Sequence, residues 1–138
     1  MSGEKNLQKL ILSMIPVLLD KEYVFGTLIS PSIERLSRLA PMGTFFEEEG
    51  LTVIIEKKVA DEFNIAYQGV FKCITLSVHS SLNAIGLTAA VTTKLTQLNI
   101  SANVVAAYYH DHIFVPLRDA DKALKGLTEL SSQGLDSL

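Results

Sequence analysis

The sequence predicts an α+β fold in which an antiparallel sheet is covered by helices on one face, with this plan built twice along the chain. Three observations predict it. Apolar residues make up 48% of the 138 residues, enough to fill an interior of domain size. Their spacing switches repeatedly between a period of two and a period of three to four, the signatures of half-buried strands and amphipathic helices. Read in order, each half of the chain runs strand, helix, strand, strand, helix, the split βαβ plan.

The first apolar segment, "LQKLILSMIPVLL", sets Leu7, Leu10, Ile11, Met14 and Ile15 on one helical face and is expected to end before Pro16. Lys9 and Pro16 interrupt it, and it is too short to cross a bilayer. It lacks the basic start and small-residue cleavage pattern of a signal peptide, so it reads as an amphipathic helix of a cytoplasmic protein. "EYVFGTLI" is rich in aromatic and β-branched residues and reads as a strand. Ser30 followed by Pro31 marks a helix start, and Ile33, Leu36 and Leu39 follow at helical spacing. "TFFEEEGLTVII" reads as two strands around a tight turn at Gly50. Its three glutamates suit a solvated strand end better than a metal patch. "KKVADEFN" supplies one or two helical turns, with Val59, Ala60 and Phe63 inward and Asn64 as C-cap.

The second half opens on the longest apolar run, "GVFKCITLSVH", which suits a central strand. Phe71, Cys73, Thr75 and Ser77 would face one side, and Ile74, Leu76 and Val78 the other. Leu87, Ala90, Val91, Leu95 and Leu98 form a helical stripe that Asn99 can close. "SANVVAAYY" and "HIFVP" read as paired strands around His110 and Asp111. Ala120, Ala123, Leu124, Leu127 and Leu130 mark a last helix, and "SSQGLDSL" is expected to fray. A faint repeat lays "LTVIIEKKVADEF" over "HIFVPLRDADKAL", matching Val53 to Phe114, Lys57 to Arg118 and Phe63 to Leu124.

Twelve basic against fifteen acidic side chains give a net charge of -3, which leaves no basic excess to grip a phosphate backbone. Nucleic acid and membrane are therefore not expected as partners. Cys73 is the sole cysteine, so no disulfide forms within the chain and a reducing compartment fits.

With the elements placed, "GLTAAVTTKLTQLNISANVV" resembles the ACT domain family, Gly86, Leu87, Val91, Leu95, Asn99 and Ile100 standing at the positions that carry the likeness. "AAYYHDHIFVP", "EGLTVII" and "GVFKCITLSVHSS" extend it over roughly residues 20 to 132, toward the short bacterial paired ACT-like proteins related to the arginine-sensor ACT proteins. The resemblance implies a ferredoxin-like ACT fold: two ACT-like βαββαβ repeats side by side, sharing an antiparallel sheet. It divides the chain into an N-terminal amphipathic helix (1–19), a first repeat (20–69), a second repeat (70–132) and a tail (133–138). It also implies a regulatory protein that binds an amino acid or similar small metabolite at a domain or subunit interface, as a dimer or higher homo-oligomer. Two departures stand out. "HSSLNAIG" replaces the acidic residue and Pro-Gly usual before the helix, and no fourth strand follows the last helix, so the second repeat is either incomplete or completed elsewhere.

The loop before the 86–98 helix has two readings. In the first, N–H groups at the helix start hold a small anionic group, Gly86 admits it closely, and His79, Ser80, Ser81, Leu87 and Thr88 surround it. The strand of an adjoining domain would then add Asn103, Val104 and Tyr108. In the second, Ser80 or Ser81 simply caps a helix beginning at Leu82, and Gly86 serves packing. The cluster of His79, His110, Asp111 and His112 has metal-ligand chemistry but no spaced zinc motif, so no metal is expected. Ser80 or Ser81 beside His79 lacks a nucleophile elbow, and no dinucleotide or phosphate loop occurs. An enzyme is not expected, nor a cofactor. The rival is a structural oligomerisation module with no small-molecule ligand.

Overall fold

The computed structural model describes residues 6–78 and 84–138. The chain forms two compact units, residues 21–71 and residues 1–20 with 72–138.

The smaller unit contains the second part of β1 (Ile15–Leu28), then α2 (Ile33–Leu39), β2 (Gly43–Glu47), β3 (Gly50–Glu56) and α3 (Lys57–Glu62). The hairpin read at Gly50 is present. β3 lies in the middle, antiparallel to β2 with Phe45 opposite Thr52 and to β1 with Phe25 opposite Ile54. Alternate residues Leu51, Val53 and Ile55 face a core shared with Val24, Leu28, Leu39, Ala60 and Ile65. Asn64 takes φ 55 at the end of α3, as an Asn at a helix end can. One local reading changes: Ser32, not Ser30, is the N-cap of α2, accepting from Arg35 N at 3.1 Å; Ile33, the first helical residue, is exposed.

The larger unit contains α1 (Leu7–Ser13), the first part of β1 (Ile15–Asp20), β4 (Phe71–Ser77), α4 (Leu87–Gln97), β5 (Asn103–Ala106), β6 (Asp111–Pro116) and α5 (Ala120–Gln133). Its strand order is β1, β4, β6, β5. β4 is interior, as its unbroken apolar run requires, with Ile74, Leu76 and Val78 on one face. Against that face lie Leu10, Ile11 and Met14 from α1, Leu87, Ala90, Val91 and Leu95 from α4, and Ala123, Leu127 and Leu130 from α5. Helices therefore cover one face, each buried Leu or Ile side chain contributing about 1.5–3 kcal/mol.

The fourth strand missing after α5 comes from the N-terminus. Residues 15–20 take the place beside β4, and Pro16 is tolerated there near the strand start. The structure thus differs from the division expected from the sequence: residues 1–19 are part of the larger unit, because Leu10, Ile11 and Met14 are buried in its core. The C-terminal residues are docked rather than frayed. α5 runs to Gln133, a 3-10 turn spans Gly134–Ser137, Leu135 N donates to Gln8 Oε1 at 3.0 Å, and the buried Lys94 Nζ donates to Glu129 Oε1 at 2.6 Å and Ser137 O at 3.2 Å. The repeat alignment slips by one in its strands: Val53 faces its core, whereas Ile113 and Val115, not Phe114, face theirs. Among the described residues no helix is long and apolar enough to cross a membrane.

Because α1 is core, Ile11→Ala is expected to lower stability by about 2–5 kcal/mol in urea unfolding. A change within about 0.5 kcal/mol would show that α1 stands apart from the unit.

Candidate functional site

α4 begins at Leu87, with Gly86 as N-cap at φ 97 and ψ -13. That conformation favours glycine, and a Cβ would lie 3.0 Å from Leu7 Cδ2 as well. Ala90 N donates to Gly86 O at 2.9 Å, the first bond of the helix. The N–H groups of Leu87, Thr88 and Ala89 precede it and have no acceptor within α4, and Gly86 has no side chain to cap them. Leu87, Ala90 and Val91 are buried, which pins this first turn. Residues 84–86 are not helical, so α4 itself does not reach back toward Leu82, which lies outside the described residues.

Opposite the helix start stands the β5–β6 hairpin, closed by Ala107 N donating to His110 O at 3.1 Å. Tyr108 and Tyr109 lie in its tip, 67% and 75% exposed, their rings edge to face at 4.8 Å between centroids. Between helix start and hairpin is a cavity of about 180 Å³, lined by Ala84, Gly86, Leu87 and Thr88 on one side and residues 106–111 on the other.

Among the described residues that line the cavity there is no lysine or arginine. His110 Nδ1 is buried and has no hydrogen-bond partner. Burial pushes the Asp111 carboxyl above its usual range, against the pull of His112 and His110. Burial likewise pushes His112 down, helped by neighbouring His110 and opposed by Asp111, and its Nδ1 lies 3.0 Å from Thr75 Oγ1. Across the sheet, burial raises the Cys73 thiol to about 11, which makes it a packed hydrophobe and not a nucleophile at neutral pH.

Of the residues expected from the sequence, Gly86, Leu87, Thr88 and Tyr108 meet at this cavity. His79, Ser80 and Ser81 lie outside the described residues. Asn103 is exposed and pairs with Phe114 in the β5–β6 ladder, and Val104 packs against the core; neither lines the cavity. Tyr108 sits in a hairpin turn of the same unit, not on a strand of an adjoining domain. The sequence reading missed Ala84, Ala106, Ala107 and Tyr109 as lining residues, and placed His110 and Asp111 only in turn or metal chemistry. The signal available was the register of the hairpin, which sets residues 107–110 as its tip. Among the described residues no three His, Cys, Asp or Glu side chains converge to hold a metal ion.

Two sequence models of the ACT domain match the chain, over residues 2–72 and 70–129. No curated protein sequence matches it. Among solved structures, a Vibrio cholerae protein of unknown function, described as a possible transport protein, is 45% identical. The match covers 92% of this chain and 97% of that one, with a TM-score of 0.83. The fold is shared at 17% identity with an Agrobacterium tumefaciens protein, covering 86% and 89% of the two chains at TM-score 0.69. It is also shared with the ligand-free regulatory subunit of aspartate kinase from Thermus thermophilus at 10% identity, covering 83% and 95% at TM-score 0.57.

The depressed His112 makes a pH signature. The unfolded chain binds a proton at this residue more readily than the folded one, so the folded state loses stability as pH falls below about 6.5. Melting midpoints of wild type and His112→Gln are expected to converge as pH drops from 7 to 5. A gap that stays constant would contradict the shift.

Proposed function

The chain belongs to the ACT domain family, and from that premise we propose that it is a regulatory protein that binds an amino acid or similar small metabolite at the start of α4. The cavity beside the uncapped first turn carries this reading. A ligand carboxylate would accept from the N–H groups of Leu87, Thr88 and Ala89, where the helix also presents a partial positive charge. The Thr88 hydroxyl and the Tyr108 ring would add contacts, and His79, Ser80 and Ser81 belong to the same proposed site. Asn103 and Val104 would contribute only across an interface, from a neighbouring copy in a dimer or higher assembly. Binding would act by differential affinity: the seated ligand favours one arrangement of the modules, which a partner reads. Localisation in the cytoplasm is part of the proposal. The aspartate kinase regulatory subunit has the same fold and fits such a role.

The structural-module reading has one observation in its favour. Phe45 and Phe46 on the edge strand β2 are 70% and 84% exposed, a surface suited to association. A thermal-shift panel of the common amino acids separates the two. A ligand at a hundred times its Kd should stabilise the folded state by about 2.7 kcal/mol and raise the midpoint by several degrees. A flat response to every amino acid at millimolar concentration would favour the structural module.

A further inference from the structure

β2 ends the strand order of its sheet, with β3 on one side and, among the described residues, no strand on the other. About half of its backbone N–H and C=O groups therefore point outward, free to pair with a further strand. Proteins usually blunt such an edge with a lysine, a proline or a bulge. β2 has none of these: Gly43, Thr44, Phe45 and Phe46 are uncharged, and pairing with β3 is unbroken from Gly43 opposite Ile54 to Glu47 opposite Gly50. Phe45, opposite Thr52, stands on one face of the sheet and Phe46, opposite Leu51, on the other, and both rings are exposed. An added strand would thus meet an aromatic ring on either face.

Charge selects the occupant of this edge. Glu47, Glu48 and Glu49 carry the strand into its turn and are all exposed. Thr52 Oγ1 donates to Glu47, and among the described residues none of the three carboxylates forms an ion pair. No lysine or arginine lies between Arg38 and Lys57. Two copies of β2 paired about Phe45 would therefore set Glu47 of one opposite Gly43 of the other and leave every carboxylate unmatched. We propose that β2 is a docking edge for an extended segment of a partner protein, added antiparallel as a further strand, with basic residues at its start beside Glu47 to Glu49 and apolar residues alongside Phe45 and Phe46. Main-chain bonds would supply affinity, and the carboxylates would fix direction and select charge. The proposal is independent of α4: an amino-acid panel without response leaves it standing, and its own failure leaves that site untouched.

Fluorescence anisotropy of the full chain with labelled model peptides tests it. The probe is acetyl-Lys-Lys-Val-Thr-Val-Thr-amide, compared with the peptide carrying two glutamates in place of the lysines and with one carrying the lysines last. Exposed ion pairs are individually weak, so the probe is expected to bind about tenfold more tightly than the acidic peptide, with the advantage shrinking as salt is added. Its amide shifts should fall on residues 43–47. Glu48→Lys combined with Glu49→Lys, both on an exposed turn, should reverse the preference in favour of the acidic peptide, and Phe46→Lys should weaken both peptides. Equal affinity for the two charges, no reversal in the lysine variant, shifts outside β2, or no binding at millimolar peptide would each overturn the proposal. Self-association of the free chain that Phe45→Lys abolishes would also overturn it, and assign the edge to a second copy.

Discussion

Burial of one stripe of α4 against β4 and β6 is the interaction on which the site depends. Leu87, Ala90, Val91 and Leu95 are almost fully withdrawn from water against Ile74, Leu76, Ile113 and Val115. Among the described residues no side-chain cap holds the helix at its first turn, and a lost cap costs only about 1 kcal/mol, less than one buried leucine supplies. Packing therefore fixes where the helix starts. Because the stripe begins at Leu87, the chain must turn at 86, and the left-handed conformation there explains the glycine. The free amides and the cavity beside them follow from that placement, since the same sheet holds the β5–β6 hairpin opposite.

A second constraint is the completeness of the sheet in the larger unit. The described residues after 70 supply three strands, β4, β5 and β6, and the N-terminal residues add the fourth. This gives α1 its role: its apolar face joins the same core as α4 and α5, and Leu7 approaches Gly86 closely enough to help define the helix start. The docked C-terminal turn ties the same three helices, with Lys94 bonding to Glu129 and Ser137 while Gln8 accepts from Leu135.

Local patterns were readable wherever a hydrophobic period was long enough to declare itself. The stripes of α4 and α5, the alternation of β4, the hairpin at Gly50 and the Asn residues closing α3 and α4 all follow from side chains within a few positions of one another. What was not readable depended on contacts between distant parts of the chain. Nothing near Ile15 states that it will lie beside β4, and nothing near Leu135 foretells a bond to Gln8. At the site, the helix start was legible because glycine before an apolar stripe has few uses. The facing wall was not: His110 and Asp111 acquire meaning only when strand pairing brings the hairpin tip opposite Gly86, and in sequence they are an ordinary turn.

The central claim is that a small ligand sits on the first turn of α4, facing the hairpin of the same unit. Amide NMR of the protein, titrated with the amino acid that stabilises it most, tests this directly. The account predicts that the largest shifts fall on the amides of Leu87, Thr88 and Ala89 and on Tyr108 through Asp111. Shifts confined to β2 and β3, with those amides unmoved, would contradict it.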